Sequence, residues 1–344
     1  MSIKSRLKFI ARHGPTYLQR ASKAGLGKSS FSAQPIRDVL AGFDPIEADL
    51  YRQLYGSTDG LISNYYRETD LFSPNGYFGC VTTIKSVFAS VLEAEGIPTP
   101  EVFAAVQDGK ITWRANGRQR AESHLKQTER LVLKPNIGSQ GESVRLLDSL
   151  EAFEEYSGGN AILTAFVQQG AYAQEIFPGA LNTIRAVSVR NDQNQMVLMA
   201  AAHRFGTAKS VPVDNTHAGG LVSNIDLETG AIGKSMSAGQ GNTLTHHAVH
   251  PDTQAPIEGV FVPNWQQVTE LVQQLGRAMP YLKFVGWDIA MTKDGPVVIE
   301  GNSQASLTSI QYFERLSENK QMCQLLAAHV PNCDWLQEVA RDGH

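Results

Sequence analysis

The sequence has few cysteines, no long apolar run and no excess of positive charge. Its three cysteines, Cys80, Cys323 and Cys333, form no CxxC pair, so neither a disulfide framework nor a zinc site is predicted, and a reducing cytoplasm is the simpler expectation. No run of about 18 apolar residues is present to span a membrane. No apolar segment of a secretory signal follows the basic start. A net charge of −4 gives no global basic field of the kind that indicates a nucleic-acid partner.

The composition that remains is that of an ordinary folded α/β protein. The 344 residues, with 42% hydrophobic residues, 30 glycines and 15 prolines, are enough for two or three subdomains with sizeable cores.

The first 37 residues depart from this average because they contain basic residues and no acidic one. Ile3, Leu7 and Ile10 fall at helical spacing among the basic side chains. A basic amphipathic helix of this kind can lie on an anionic membrane surface. The alternatives are a solvated, partly frayed segment, a helix that docks its apolar residues on the body of the protein, or a transit peptide. The basic residues include Lys4, Arg6, Lys8, Arg12, Arg20, Lys23 and Lys28.

Residues 285–302 predict a β-hairpin that carries acidic side chains. Two apolar strands flank an Asp-Gly turn, with Asp288 on the first strand and Glu300 and Asn302 at the end of the second. Glu300 and Asn302 are two residues apart and therefore share one face of their strand. Converging oxygen ligands of this type suit Mg²⁺ with nucleotide phosphates. The alternative is a surface hairpin whose acids are merely solvated.

A second informative stretch is residues 130–147. A buried strand delivers Lys134, and a turn containing Gly138 and Gly141 leads into another strand at 144–147. Such glycines let the backbone approach a ligand closely and expose N–H groups that suit phosphate. The stretch lacks the GxxxxGK[ST] pattern of a Walker loop. A glycine-rich hairpin with a structural lysine is the other interpretation.

Between these stretches the pattern predicts several strands and two polar loops. Strands are expected at 161–168, 182–189, 196–203 and 221–225, and helices at 83–96, 118–127 and 265–279. Arg185 and Arg204 are candidates for binding phosphate or an anionic acceptor, or for surface ion pairs. The loop 214–220 could close over a site. Residues 233–258 are interpreted as a long polar loop, a lid or acceptor surface, in which a zinc site at His246, His247 and His250 is disfavoured by Pro251.

The order of these parts resembles the ATP-grasp superfamily. The resemblance rests on Lys85 near a helix start, Lys134 with its glycine-rich loop, the segment 165–167, and the hairpin with Asp288, Glu300-Gly301-Asn302. Asn182-Thr183-Ile184-Arg185, Asn215 with Gly219-Gly220, and Gly286–Ala290 look like the sugar-transfer-associated branch of that superfamily. The implied fold is α/β (α+β): two ATP-grasp subdomains that grip ATP, preceded by a mostly helical region. The implied divisions are a basic, helical region at 1–75, a first subdomain with the phosphate loop at 76–160, and a second with the metal hairpin at 161–344.

The resemblance also implies roles for individual residues. Lys85 and Lys134 would hold the ATP phosphates, with the backbone of Gly138, Ser139 and Gly141 closing over them. Ala165 and Val167 would offer main-chain hydrogen bonds to adenine, and Asn182 stands where many relatives place a ribose-binding acid. Asp288, Glu300 and Asn302 would bind two Mg²⁺ ions, with Mn²⁺ as an alternative. Arg185 and Arg204, with Lys134, would stabilise the transferred phosphoryl group or the acylphosphate.

Three positions depart from the family pattern. Ile84 replaces the acid that often precedes the first lysine, and Thr164 replaces the Glu that often begins the segment contacting adenine. Gly286 stands where some ligases have an arginine, which argues against copying the acceptor chemistry of amino-acid ligases.

The implied reaction is ATP-dependent joining of a carboxylate and an amine, in which ATP activates the carboxylate as an acylphosphate. The resemblance suggests small-molecule or glycan-linked substrates, in modification of a surface polysaccharide or sugar precursor, by a cytoplasmic protein that could contact the inner membrane face. The alternatives are a kinase that phosphorylates a hydroxyl group and a non-catalytic nucleotide-binding subunit.

Overall fold

The structure is a computed structural model that describes residues 3–25, 33–67, 69, 73–138, 144–238 and 243–341. The chain forms two compact units. Unit 1 consists of Met1–Gly76, Met236–His246 and Gln304–His344, and unit 2 of Tyr77–Ser235 and His247–Ser303. The three-region division at 75/76 and 160/161 stays a prediction.

The strands form two sheets, and the pairs among β1 to β8, β11 and β12 are antiparallel. The five-stranded sheet has the order β2-β1-β5-β3-β4, and the seven-stranded sheet has the order β10-β9-β8-β7-β6-β11-β12. The strand bounds are β1 Val102–Gln107, β2 Lys110–Trp113, β3 Leu131–Pro135, β4 Arg145–Leu147, β5 Ala161–Ala165, β6 Ile184–Arg190, β7 Met196–Phe205, β8 Leu221–Ile225, β9 Ile232–Ala238, β10 Leu244–His247, β11 Phe284–Thr292 and β12 Gly295–Asn302.

The α-helices precede, connect and follow the strands. Their bounds are α1 Ile3–Lys23, α2 Gln34–Ala41, α3 Pro45–Tyr55, α4 Asn64–Arg67, α5 Cys80–Thr83, α6 Lys85–Ala94, α7 Gly117–Thr128, α8 Glu151–Glu154, α9 Ala171–Ile176, α10 Trp265–Ala278, α11 Thr308–Gln311, α12 Lys320–His329 and α13 Asp334–Arg341. No helix in the described ranges combines the length and the apolar character needed to cross a bilayer.

Helix α6 begins at Lys85 because the residue before it breaks the helical path. Ile84 is extended (φ −96°, ψ 101°), so the predicted helix at 83–96 is divided into α5 and α6. The side chain and carbonyl of Asn136 accept hydrogen bonds from the N–H groups of Ser86 and Lys85, both at 2.9 Å. One residue therefore ties the start of α6 to the turn that follows β3.

Trp287 joins α6 to the hairpin on the side of the seven-stranded sheet opposite Asp288. Its ring is fully buried and stacks on Phe88 of α6 with a centroid distance of 6.2 Å. Its indole N–H donates to the hydroxyl of Ser188 on β6 (2.8 Å). Because successive side chains of a strand point to opposite faces, this anchoring leaves Asp288 on the other face.

The predicted hairpin is confirmed, and its register is specific. Asp288 lies directly opposite Glu300, and Gly286 lies opposite Asn302. The turn itself is Lys293-Asp294, since Thr292 pairs with Gly295, which has a φ of +119°. The three predicted metal ligands therefore share one face of the sheet.

The interpretation of residues 233–258 as one long loop was wrong. The segment contains β9 and β10, and Val249 forms a bridge with Pro256. The adjacent residues Ser235 and Met236 of β9 are both buried, so the strand lacks the apolar–polar alternation that would have marked it in the sequence. The predicted strand 161–168 is shorter than expected and ends at Ala165.

Candidate functional site

Four adjacent strands of the seven-stranded sheet place charged side chains in one row. Glu300 on β12 lies opposite Asp288 on β11, and Asp288 lies opposite Arg185 on β6. Arg185 pairs with Ala202 on β7, and Arg204 stands two residues further along that strand on the same face. The row brings together residues separated by more than 100 positions in the sequence.

Both arginines bind the carboxylate of Asp288. The Nε of Arg185 donates to Oδ1 (2.7 Å) and its Nη2 to Oδ2 (3.3 Å), while Nη2 of Arg204 lies 3.0 Å from Oδ2. Burial by itself would raise the pKa of Asp288, but Arg185 and Arg204 hold it below its ordinary value. Asp288 is therefore ionised and neutralised by its neighbours.

Two lysines approach the other carboxylate from a different direction. The Nζ of Lys85 donates to the carbonyl of Gly138 (2.6 Å) and lies 3.5 Å from Oε1 of Glu300. Burial lowers the pKa of Lys134 to about 8; Glu300 opposes this shift and Lys85 adds to it. Burial also raises the pKa of Glu300, against the effect of Lys85. The site thus holds an excess of cationic groups, which suits an anionic ligand.

The phosphate-loop prediction is only partly visible. Gly138 is exposed, and its φ of +139° is a backbone conformation that favours glycine. Its carbonyl is fixed by Lys85. The other two loop predictions, Ser139 and Gly141, lie outside the described residues.

The segment predicted to contact adenine, residues 165–167, begins at the last residue of β5. The N–H of Ala165 donates to the carbonyl of Glu101 (2.9 Å), and that of Phe166 donates to Nε2 of His124 (3.0 Å). Val167 follows them outside the strand and is half-buried. The Ala165 N–H is thus used within the protein, and the roles of Ala165 and Val167 toward adenine stay predictions.

The structure does not support the ribose-binding role expected of Asn182. Its side chain is 1% exposed. Its Nδ2 donates to Gln169, to the carbonyl of Ala173 and to that of Phe177, and its Oδ1 accepts from the N–H of Gly206. Its side-chain amide thus connects the residues in and around α9 to Gly206, directly after β7, which makes Asn182 a structural residue.

The predicted metal ligands have a donor set that fits Mg²⁺. Two carboxylates and an amide oxygen are hard oxygen donors. The Nδ2 of Asn302 donates to the carbonyl of Gly286 (3.4 Å), so Oδ1 is the side-chain atom of Asn302 that would face a cation. The Oδ1 of Asp288 accepts only from Arg185 and retains a second lone pair, whereas both arginines contact Oδ2. Asp288, Glu300 and Asn302 could therefore hold a magnesium ion.

A histidine metal site receives no support. The described residues contain no group of three or more His, Cys, Asp or Glu side chains arranged to hold an ion. His250 is fully buried, stacks on Phe177 and has its Nε2 2.8 Å from the carbonyl of Gly206. Its role in the fold is to anchor the segment after β7.

Sequence reasoning did not identify Asn136, Thr183 or Asp214 as parts of the site. Asn136 fixes the start of α6 beside Lys85, and Thr183 and Asp214 contact Arg204. An asparagine one residue after Lys134-Pro135 was a visible signal, whereas the approach of Asp214 to Arg204 depends on how a loop folds.

Comparison with known proteins identifies the family of this chain. The model of the family described as sugar-transfer associated ATP-grasp matches residues 149–323. The chain belongs to the sugar-transfer associated ATP-grasp family, and its fold is the ATP-grasp fold. No curated protein matches the chain.

Several solved structures are remotely similar. They include the ATP-grasp ligase PsnB in complex with its precursor peptide PsnA2 and AMPPNP, at 13% identity over 74% of this chain and 61% of that chain, with a TM-score of 0.41. D-alanyl-alanine synthetase A from Vibrio cholerae is 8% identical over 73% of this chain and 66% of that one, with a TM-score of 0.43. An N5-carboxyaminoimidazole ribonucleotide synthetase bound to ADP is 11% identical over 67% and 46%, with a TM-score of 0.40. The chain thus spans about three fifths of the length of PsnB.

Proposed function

We propose that this protein is an ATP- and Mg²⁺-dependent ligase that activates a carboxylate as an acylphosphate for attack by an amine. The observation that carries the proposal is the row Glu300, Asp288, Arg185 and Arg204 across four strands, with Lys85 beside it, in a chain of this family. The family description further supports a sugar or polysaccharide precursor as one substrate.

The reaction needs charge neutralisation and positioning but no side-chain nucleophile. A carboxylate oxygen of the substrate attacks the γ-phosphorus of ATP, and the bond from that phosphorus to ADP breaks. The amine then attacks the carbonyl carbon, phosphate leaves, and the nitrogen loses a proton. Lys85 and Lys134 would bind the phosphates, and Arg185 and Arg204 would stabilise the transferred phosphoryl group.

The metal would be held by Asp288, Glu300 and Asn302, with one or two ions bound. When bound, Mg²⁺ supplies neutralisation of phosphate charge. The chain's own contribution is to keep Asp288 ionised between two guanidinium groups.

An ADP-release assay tests the proposal. We expect ADP only when ATP, Mg²⁺, a carboxylate and an amine are all present. ADP formed with a polyol and no carboxylate would instead indicate a kinase, and nucleotide binding without turnover would indicate a non-catalytic subunit; either result contradicts the ligase proposal.

Two asparagine variants on the same hairpin test the metal assignment. Asp288→Asn should abolish turnover, whereas Asp294→Asn, at the exposed turn beside Lys293, should leave it unchanged. Thermal unfolding of both variants controls for loss of fold. Full turnover in folded Asp288→Asn would show that Asp288 is not a ligand.

We also propose that this is a cytoplasmic protein that contacts an anionic membrane face through α1 and α2. Helix α1 packs within unit 1 through Phe9 and Tyr17, which cluster with Val39 of α2. Leu7 and Leu40 are 60% and 51% exposed. Leu7 is exposed although the helical spacing predicted it on the apolar face with Ile3 and Ile10. The side chain of Arg6, the residue before Leu7, donates to the carbonyl of Leu40 (2.9 Å) and so connects α1 to the end of α2.

The charge around these leucines matches an anionic surface. Lys8, Arg12 and Arg37 are exposed, and no carboxylate in the described ranges lies within ion-pair distance of them. Exposed leucines beside basic side chains favour a lipid surface over a nucleic acid, because apolar side chains gain free energy only in the former.

Sedimentation with vesicles tests this contact. The full chain should bind vesicles of phosphatidylglycerol and phosphatidylcholine but not phosphatidylcholine alone. Lys8→Gln with Arg12→Gln should weaken binding by about tenfold or more, at about 1 kcal/mol per charge, and Leu7→Ser should weaken it too. Lys110→Gln with Lys126→Gln, in unit 2, is the matched control. Equal effects of both pairs, or binding to nucleic acid in place of vesicles, would refute the contact.

A further inference from the structure

Asp214 is a buried carboxylate next to the charged row. Its residue is 8% exposed, and its Oδ2 accepts hydrogen bonds from the N–H (2.9 Å) and the hydroxyl (2.5 Å) of Thr183. The same oxygen lies 3.5 Å from Nε of Arg204. Asp214 therefore contacts the guanidinium group both directly and through a hydroxyl.

Thr183 completes the connection to Arg204. Its Oγ1 donates to Asp214 and accepts from both Nη2 (2.6 Å) and Nε (3.2 Å) of Arg204. On its other side the guanidinium reaches Asp288 at 3.0 Å. Arg204 thus spans two carboxylates, which fixes its orientation more strongly than one contact would.

The loop that carries Asp214 is closed by its own hydrogen bonds. The hydroxyl of Thr207 donates to the carbonyl of Gly219 (3.0 Å), and the N–H of Gly220 donates to that of Asn215 (3.0 Å). A Cβ on Gly220 would lie 2.6 Å from the carbonyl oxygen of Asp214, so only glycine permits this close approach. The loop is built to hold Asp214 in place.

We propose that Asp214 is a positioning residue that, with Thr183, orients Arg204 toward the phosphoryl group that is transferred. This inference rests on the proposed function, since it presupposes that Arg204 meets that group. It goes beyond that function by assigning a role to the 207–220 loop. Asp214 itself would touch neither substrate nor nucleotide.

The first experiment separates orientation from folding. Asp214→Asn keeps the size of the side chain and an oxygen acceptor but removes its charge. We expect kcat to fall by about tenfold to a hundredfold, because a small misplacement of a catalytic group costs that much, with at most a several-fold rise in KM for ATP. Ser223→Ala, which removes a buried hydroxyl contact with Ser235 on β8 and β9, is the control that should leave kcat unchanged.

Conservative variants test the hydroxyl link. Thr183→Ser retains the hydroxyl and should keep near-normal turnover, whereas Thr183→Val has the same shape without it and should resemble Asp214→Asn. Equal impairment by Ser and Val would exclude a role for the hydroxyl.

A double-mutant cycle tests whether Asp214 acts through Arg204. If it does, Asp214→Asn combined with Arg204→Lys should lose no more activity than Arg204→Lys alone. Multiplicative losses would overturn the inference.

A binding measurement separates failure of this inference from failure of the proposed function. Titration calorimetry with Mg·ATP and Mg·ADP should show that Asp214→Asn lowers the preference for ATP several-fold, because only ATP presents a γ-phosphate to Arg204. If the preference falls in this way but the wild type shows no ligase turnover, the ligase proposal is refuted and the positioning role of Asp214 is supported. Unchanged preference and unchanged kcat would refute the role of Asp214 alone.

Discussion

At the scale of single residues, His203 couples protonation to the stability of the fold. It is fully buried on β7, stacked on Phe205, with Nε2 2.8 Å from the hydroxyl of Tyr172 and Nδ1 3.1 Å from the carbonyl of Arg204. A carbonyl only accepts, so Nδ1 carries the proton and Nε2 accepts from the tyrosine. Burial lowers the pKa of His203 to about 3. The residue is therefore neutral in the folded protein.

We expect the free energy of unfolding to fall as the pH drops from about 6.5 toward 3. In that window the unfolded chain binds a proton at His203 that the folded chain does not, which costs up to about 1.4 kcal/mol per pH unit. Denaturant titrations between pH 8 and 5 measure it. His203→Gln should be less stable at pH 8 but lose less stability on acidification, whereas His246→Gln, at an exposed position, should follow the wild type. Parallel pH profiles for wild type and His203→Gln would refute this account.

At the scale of elements, the end of β12 depends on a glycine between two predicted metal ligands. A Cβ on Gly301 would lie 3.0 Å from the Trp287 ring, 3.1 Å from Phe88 and 3.1 Å from Thr82. These neighbours are themselves buried, so they have little room to move. The strand therefore lies close to α5 and α6 only because residue 301 has no side chain.

Gly301→Ala should lower the free energy of unfolding by about 1–3 kcal/mol through overpacking. It should also weaken Mg·ATP binding, because Glu300 and Asn302 would shift with the strand. Gly159→Ala is the control: a Cβ there meets nothing within 4 Å, so its stability should change little. Denaturant unfolding and nucleotide titration measure both effects. A neutral Gly301→Ala would mean that the neighbouring side chains yield easily.

The elements with strong local patterns were predictable from sequence, and the long-range approach of side chains was not. The hairpin 284–302 follows from apolar strands and a turn, and that pattern placed Asp288, Glu300 and Asn302 on one face. The convergence of Arg185 and Arg204 on Asp288 requires β6 and β7 to lie beside β11 in the sheet. The local periodicity of the sequence does not reveal the order of the strands in the sheet. Surface ion pairs were therefore an equally good interpretation of the two arginines. Asn182 is the opposite case. The resemblance to the family predicted that its side chain contacts ribose, whereas the side chain is buried and has a structural role.

At the scale of the whole molecule, the family match covers only part of the candidate site. The matched residues 149–323 include Arg185, Arg204, Asp214 and the hairpin, but they begin after Lys85 and Lys134. The proposed role of the two lysines therefore depends on the contacts of Lys85 with Gly138 and Glu300, and on the effect of Glu300 on the pKa of Lys134. A ligand that contacts both the lysines and the hairpin would connect the five-stranded sheet, which carries Lys134, to the seven-stranded sheet, which carries the hairpin.

Binding of Mg·ATP should accordingly stabilise the chain as a whole. A ligand that binds only the folded state at about 100 times its Kd adds about 2.7 kcal/mol to the free energy of unfolding. We expect the thermal midpoint to rise by several degrees with Mg·ATP and by less with ATP and a chelator, because without the metal the Glu300 carboxylate repels the phosphates. Glu300→Gln should reduce this Mg²⁺-dependent difference, whereas Glu258→Gln, at an exposed carboxylate beside Lys234, should not. Equal stabilisation of the wild type by ATP with and without Mg²⁺ would remove the metal from the site and leave the lysines and arginines as the nucleotide-binding groups.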